Sequence, residues 1–307
     1  MQELVHRRAG SRLVCEQTLW NWVQQRAKKL DTALHTKVES AQDLPFPVLS
    51  PTVDLYDKEA EEVLVLMDAI GVKAQKPKRD KPGAPKTGKE AKRHDLDLMV
   101  LQRRDGQFTY LSGSADQTLP LTQVAQAQLR LEWGDQQTPL PLVGISDGAR
   151  KIRSDLDTIC GYRIPVILDW YHLQKQVYQR LSMCASGRGQ REEWERTLLG
   201  HLWHGHIEEA IDFLRPLPTR NSSVLAELIG YLEKHRDEII DYDRRRAVGK
   251  CIGSGRVEKG VDLAVGLRQK DNGMSWSRQG SHALAQLQVA QLNGEWNQIF
   301  DGLSLAA

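Results

Sequence analysis

The sequence predicts an α/β fold built around a mixed β-sheet, and three observations lead to that prediction. Two short runs rich in Val, Ile and Leu, Leu142–Ser146 and Ile164–Leu168, have the length and composition of strands buried on both faces. The segment between them, residues 149–160, carries apolar residues at helical spacing. A right-handed crossover makes two such strands parallel. A third apolar run at residues 63–74 and a hairpin pattern after it extend the sheet.

Composition restricts the class of protein. Of the 307 residues, 40% are hydrophobic and 27% are charged, which is typical of a globular chain. No apolar run approaches the ~18 residues of a membrane-spanning helix, and no leader opens the chain, so we expect a protein that is neither membrane-spanning nor secreted. The cysteines lack the paired spacing of zinc sites, and we expect free thiols and a cytoplasmic location. They are Cys15, Cys160, Cys184 and Cys251.

The N-terminal region has a helical pattern. Residues 2–30 predict two helices separated at Gly10–Ser11. Two interpretations stay open: the remnant of a DNA-binding helix-turn-helix, or a helical arm that packs on the main domain. We assign residues 1–40 to this arm and the Pro-rich residues 41–60 to a linker. Because the pattern begins at the first residue, it favours a chain that lacks an upstream portion.

The strand at residues 63–74 contains one acidic residue, Asp68, among apolar neighbours. A carboxylate in so apolar a strand is costly to bury unless it meets a cation. We therefore favour a functional role for Asp68 over a purely structural one.

A strongly basic segment follows at residues 76–93. It holds eight Lys and Arg against two acidic residues, a net charge of +6. Such a run is usually solvated surface, but a basic loop beside a metal site would also suit a polymer rich in phosphates. The candidate phosphate contacts are Lys76, Lys78, Arg79, Lys81, Lys86 and Lys89.

The order of the predicted elements specifies the fold further. Residues 95–101 and 107–112 predict a hairpin that turns at Asp105–Gly106, and a helix near residues 117–132 follows it. Three strands followed by alternating helix and strand is the order of the ribonuclease H-like fold, in which the first and fourth strands are neighbours at the sheet centre. The first part of this core spans residues 61–172.

Two further aspartates directly follow strands, Asp147 after the fourth and Asp169 after the fifth. Ligands of open α/β sheets bind at the carboxyl edge of parallel strands, so the pair suggests a metal site. The alternative is that each aspartate caps the helix that follows it.

A long helical segment interrupts the core. Residues 173–250 lose all strand signal and predict an all-helical insertion, after which residues 251–307 complete the core. A turn at Gly253-Ser254-Gly255 restarts a helix with Glu258 in its first turn. There, Glu258 could be a ligand or a residue of a capping box.

Taken together, these motifs resemble the DDE transposases of bacterial insertion sequences, in particular the Mutator-like group and, within it, the Kra-type transposases. The similarity spans about residues 60–285. The motifs are LMDA (66–69), SDGA (146–149), LDWYH (168–172), LWHG (202–205), GSGRVE (253–258) and GMSWS (273–277).

This resemblance implies a set of catalytic residues. Asp68, Asp147 and Glu258 would be the metal-binding carboxylates, with Asp68 bridging two Mg²⁺ ions, for which Mn²⁺ can substitute. Asp169 and His172 would form the supporting D-x-x-H motif. One departure is Asp68-Ala69, where the family usually has Asp-Gly.

The resemblance also implies an activity and partners. The activity would be metal-dependent strand cleavage at the element ends, followed by attack of the freed 3′-hydroxyl on target DNA. Arg256 and Lys259 would contact DNA phosphates. The partners would be double-stranded DNA, both terminal inverted repeats and target, and further copies of the chain assembled on it, in the bacterial cytoplasm near the nucleoid.

Two alternatives stay open at this point. The chain could be an inactive or truncated transposase derivative that binds DNA without cutting it. It could also be a ribonuclease H-like nuclease that acts on another substrate.

Overall fold

The computed structural model describes residues 15–75, 93–161, 164–270 and 273–297 and contains a five-stranded mixed sheet. This confirms the predicted α/β class. The order of the strands across the sheet is β3-β2-β1-β4-β5, so β1 and β4 are neighbours at its centre. The strands are β1 (Val63–Lys73), β2 (Arg93–Gln102), β3 (Phe108–Leu111), β4 (Leu142–Ser146) and β5 (Val166–Leu168).

Along the chain, helices precede, separate and follow the strands of this sheet. In the described part of the chain, none has both the length and the apolar character that crossing a bilayer requires. The helices are α1 (Glu16–Ala41), α2 (Leu121–Trp133), α3 (Arg150–Cys160), α4 (Trp170–Cys184), α5 (Arg188–Trp203), α6 (Ile207–Leu214), α7 (Ser222–Lys234), α8 (Tyr242–Ala247), α9 (Gly255–Val261), a π-helical turn (Asp262–Gly266), α10 (Leu267–Gln269) and α11 (Arg278–Leu292).

The chain divides into two compact units. The first comprises Met1–Phe46, Asp68–Asp135 and Arg256–Ala307, and the second comprises Pro47–Met67 and Gln136–Gly255. Strand β1 and helix α9 each run across a division point, so both units contain part of them.

In the first unit, α1 packs against α2 and α11. It ends at Ala41 rather than near Leu30 as the sequence predicted, because Val38 and Ala41 continue the buried stripe. The buried carboxylate of Asp31 accepts hydrogen bonds from the amide of Ala115 (2.8 Å) and the side chain of Gln286 (2.8 Å). These bonds join α1 to the loop after β3 and to α11.

The predicted hairpin is confirmed. Strands β2 and β3 are antiparallel, with Met99 opposite Leu111, and Gly106 turns the chain with a positive φ of 77°. Strand β3 is an edge strand, and the side chain of Asn293 covers it by accepting from the amide of Tyr110 (2.8 Å) and donating to its carbonyl (3.0 Å). Two backbone groups of this edge strand thereby gain hydrogen-bond partners.

The strand–helix–strand pattern is also confirmed, in the second unit. Strand β4 spans the predicted residues Leu142–Ser146, and both β1–β4 and β4–β5 are parallel. Strand β5 starts at Val166, two residues later than predicted, because Pro165 has no amide hydrogen to donate to a ladder. The carbonyl of Pro165 still accepts from the amide of Gly144 (2.9 Å).

The segment at residues 173–250, all of which the structure describes, is helical as predicted. Its two ends meet, since the amide of Trp170 donates to the carbonyl of Ile252 (3.1 Å). The hydroxyl of the fully buried Tyr242 donates to the carbonyl of Leu168 (2.8 Å), which fixes α8 to β5.

An ion pair lies in the interior of the second unit. Arg245 is fully buried, and its guanidinium binds both carboxylate oxygens of Glu62 (2.7 and 3.0 Å) and the carbonyl of Cys251 (2.7 Å). A charge buried to this degree is tolerated because its donors are hydrogen-bonded. All four cysteines are free, as predicted.

Candidate metal-binding site

The parallel pairing of β1 with β4 fixes the positions of two candidate ligands along the sheet. The paired residues run from Val63 opposite Leu142 to Leu66 opposite Ile145. Asp68 and Asp147 each follow two residues after this last pair. Each therefore follows the carboxyl end of the paired segment on its own side of the pair.

Asp147 occupies a tight turn between β4 and α3. Its Oδ1 accepts from the amide of Ala149 (2.8 Å), and Gly148 between them has a positive φ of 86°. The N-cap of α3 is Ala149, which offers no side-chain acceptor. Asp147 is therefore not the N-cap residue of that helix, and its carboxylate is partly exposed.

Asp68 is less buried than its apolar neighbours suggest. The five residues before it in β1 are buried, whereas Asp68 is partly exposed and Ala69 is exposed. Its Oδ1 accepts from the amide of Ala69 (2.7 Å). Solvent access reduces the cost of keeping this carboxylate charged.

Asp169 has a different role, because it is fully buried and caps a helix. One carboxylate oxygen accepts from the amides of Tyr171 (2.6 Å) and His172 (3.0 Å) at the start of α4. The other accepts from both the amide and the hydroxyl of Ser254. Burial raises the pKa of Asp169, but the interactions with His172 and Ser254 outweigh it and lower the pKa to about 2.

His172 lies close to this carboxylate. The Nδ1 of His172 is 3.9 Å from Oδ2 of Asp169. Glu258 is in the first turn of α9, which begins directly after Ser254 in the sequence. Carboxylates and imidazoles are both ligands of divalent metal ions.

The resemblance assigned the metal to Asp68, Asp147 and Glu258, and that ligand set stays a prediction. Of the five residues that the sequence singled out, Asp169 and His172 lie together within the second unit.

The predicted DNA contacts are described only in part. Arg256 and Lys259 are exposed on α9, and the guanidinium of Arg256 lies 4.0 Å from the ring centroid of Phe108. The six predicted contacts from Lys76 to Lys89 lie outside the described residues.

Two features of the site were missed by sequence reasoning. The first is the bond from Ser254 to Asp169, which the GSG motif marked only as a turn. The second is Tyr171, whose side chain is 60% exposed and packs on Gly253. A Cβ at position 253 would lie 2.8 Å from Cδ2 of Tyr171, so this turn needs glycine.

Comparison of the chain with models of protein families, with curated proteins and with solved structures found no match.

Proposed function

We propose that this chain is a DDE-type transposase that cleaves DNA strands at the ends of an insertion sequence and transfers the 3′-hydroxyl ends to target DNA. The observation that carries the proposal is the register of β1 with β4, in which Asp68 and Asp147 follow the last pair by the same two residues. Carboxylates that follow two paired parallel strands by the same number of residues are candidates for the metal ligands that phosphoryl transfer needs.

The fold type supports the proposal. A sheet with the order β3-β2-β1-β4-β5, an antiparallel β2–β3 hairpin and parallel β1, β4 and β5 agrees with the ribonuclease H-like fold expected from the element order. The helical segment between β5 and α9 corresponds to the predicted insertion before the catalytic glutamate.

The donor set suits Mg²⁺, with Mn²⁺ as a substitute. Asp68, Asp147 and Glu258 offer hard carboxylate oxygens and are all at least partly exposed, so an ion bound to them could keep water ligands. The chemistry that a bound pair of Mg²⁺ ions supplies is activation of the attacking oxygen and stabilisation of the leaving oxygen. The imidazole of His172 favours Mn²⁺ over Mg²⁺ wherever it contributes directly.

The remaining residues position this set. Asp169 is ionised at neutral pH and ties Ser254 to the start of α4, so α9 begins at a fixed place and presents Glu258 in its first turn. Exposed Arg256 and Lys259 on the same helix would bind phosphates of the duplex, the proposed partner. We further propose that several copies of the chain assemble on paired DNA ends.

The test is strand cleavage by the full chain in Mg²⁺ or Mn²⁺. The substrates are labelled duplexes that carry the DNA flanking the coding sequence on each side. We expect nicking at the element boundary and joining of the 3′ ends to a target plasmid. Asp147→Asn should lower the cleavage rate by more than about 100-fold, beyond the effect usual for a supporting residue, and should leave duplex binding unchanged.

Asp155→Asn is the matched control. Asp155 is on α3, eight positions after Asp147, and is bound to Lys151 (2.7 Å). The Asp155→Asn variant should cleave the duplexes at the same rate as the unsubstituted chain. Equal cleavage by Asp147→Asn would refute the assignment, whereas cutting of RNA–DNA hybrids without joining would favour a ribonuclease H-like nuclease. Duplex binding without nicking at any metal concentration would favour an inactive derivative.

A further inference from the structure

A small pocket of the second unit opens at the N-terminus of α3, directly after Asp147. Its volume is about 280 Å³, at the lower end of the range for ligand sites. The N-terminal turn of α3 and the C-terminal end of α7 both contribute to it. Four basic side chains, Arg150, Arg153, Lys234 and His235, line it together with the carboxylates of Asp157 and Glu238.

The helix end itself favours an anion. Helix α3 has eleven residues, and its N-cap, Ala149, has no side-chain acceptor for the amides of the first turn. Unsatisfied amides and the positive end of the helix dipole together attract negative charge. Natural phosphate sites often use this combination.

A second and independent observation points to a ligand. His235 is only 3% exposed, and its Nδ1 is hydrogen-bonded to Glu238 (2.8 Å). Its Nε2 is buried and has no hydrogen-bond partner among the described residues. This nitrogen faces the turn before α3, since a Cβ on Gly148 would lie 3.1 Å from it. Because Nδ1 donates to the Glu238 carboxylate, Nε2 can donate to an anion in the ring that carries both protons, and a bound anion favours that form.

Arg153 adds cationic donors to the same pocket. Its Nε and one terminal nitrogen are buried without a hydrogen bond in the described structure. Carboxylates of Asp157 and Glu238 lie 3.9 Å from its nitrogens, which is too long for hydrogen bonds. The guanidinium is therefore neutralised only in part and keeps its donors for another acceptor.

We propose that this pocket binds a phosphate group, and that the group is a backbone phosphate of the DNA strand held at the active site. The pocket is too small for a whole nucleotide with its base, whereas a tetrahedral anion presents several oxygens to the converging donors. Ser146 and Gly148, the residues on either side of Asp147, both line the pocket, so a phosphate bound there would lie near this proposed catalytic carboxylate. The DNA assignment rests on the proposed transposase function, but the phosphate chemistry does not.

The test compares Arg153→Gln with Lys151→Gln in the full chain. Lys151 is on the same helix, is ion-paired with Asp155 and does not line the pocket, so its variant removes the same charge elsewhere. A labelled duplex is titrated by fluorescence anisotropy at several salt concentrations. We expect Arg153→Gln to weaken binding by about 3- to 10-fold and to lower the salt slope by about 0.9, the value for one lost phosphate contact. Lys151→Gln should change neither the affinity for the duplex nor the salt slope.

A second measurement uses inorganic phosphate alone. At constant ionic strength, phosphate should raise the melting temperature of the unsubstituted chain relative to chloride, and this gain should vanish in Arg153→Gln. Circular dichroism checks that the variant folds, and exposed Arg150→Gln provides a second pocket variant with the same expected change in slope. Identical behaviour of Arg153→Gln and Lys151→Gln in both measurements would overturn the pocket as a site.

The remaining outcomes separate the two proposals. A phosphate effect that depends on Arg153, combined with an unchanged salt slope for DNA, would overturn the assignment to the DNA backbone. A changed slope in a chain that never nicks DNA would support the pocket and contradict the transposase function.

Discussion

Ser254 donates two hydrogen bonds to Asp169, one from its amide and one from its hydroxyl. The two residues are 85 positions apart, and the chain between them includes the whole helical segment. Because Asp169 also caps α4, one buried carboxylate fixes the start of that helix and the residue that precedes α9.

Replacing this carboxylate should be costly. Asp169→Ala removes a helix cap and leaves the donors of Ser254 without an acceptor, and we expect a loss of about 2–4 kcal/mol in the free energy of unfolding. The measurement is urea denaturation in EDTA. Asn221→Ala, which removes only the cap of α7, should cost about 1 kcal/mol. Equal losses in the two variants would contradict the double role of Asp169.

The buried ion pair predicts a second large effect. Arg245→Ala leaves the carboxylate of Glu62 without its main partner, although Lys250 remains 3.4 Å away. We expect a loss of about 3–5 kcal/mol in unfolding free energy. Arg246→Ala, at an exposed neighbour that lies over the ring of Trp203, should cost less than about 1 kcal/mol. A small effect at Arg245 would mean that Glu62 is readily solvated.

Gly148 should tolerate alanine poorly. Its φ of 86° is unfavourable for any residue with a Cβ, and that Cβ would lie 2.9 Å from both Leu168 and His235. We expect Gly148→Ala to cost about 1–3 kcal/mol by thermal or chemical unfolding. Gly161→Ala is the control, since its φ of 68° is also positive but its Cβ would meet nothing within 4 Å. That variant should cost about 1 kcal/mol from the backbone alone, so a larger cost than at Gly148 would contradict the predicted clash.

Stability should fall in mild acid because of His282. Burial, followed by the nearby His94 and Arg278, lowers the pKa of His282 to about 4, against an ordinary value of 6.5. Between pH 6.5 and 4 the unfolded chain binds a proton that the folded chain does not, so the free energy of unfolding decreases as pH falls through this range. The total loss should be about 1–3 kcal/mol.

This dependence can be measured by urea denaturation from pH 7 to 4. His282→Gln should flatten the slope over that range, since glutamine does not titrate. A slope unchanged by the substitution would assign the acid sensitivity to other groups.

Local sequence signals predicted much of the fold. A continuous apolar run predicted β4, because every residue of that strand is buried. Apolar residues at helical spacing predicted α3, because that helix buries only one face. The end of α1 was missed because the apolar stripe continues weakly past Leu30. The π-helical turn at Asp262–Gly266 was also missed, since a single extra residue per turn hardly disturbs the spacing.

The site was less predictable than the fold. The pairing of β1 with β4 followed from the order of the predicted elements. The ion pair of Arg245 with Glu62 joins residues 183 positions apart, and nothing in the run Arg244-Arg245-Arg246 distinguishes the buried member. The Nε2 of His235, which has no hydrogen-bond partner in the described part of the chain, likewise depends on which side chain meets Gly148 in space.

The hydrogen bond between Trp170 and Ile252 closes the helical segment at its base. A segment that leaves and rejoins the chain at one point can grow, shrink or exchange helices while the strands keep their register. Loop-closure entropy changes only slowly with such length differences. The architecture thus separates a segment whose length can vary, from α4 to α8, from the paired strands, whose register does not depend on that length.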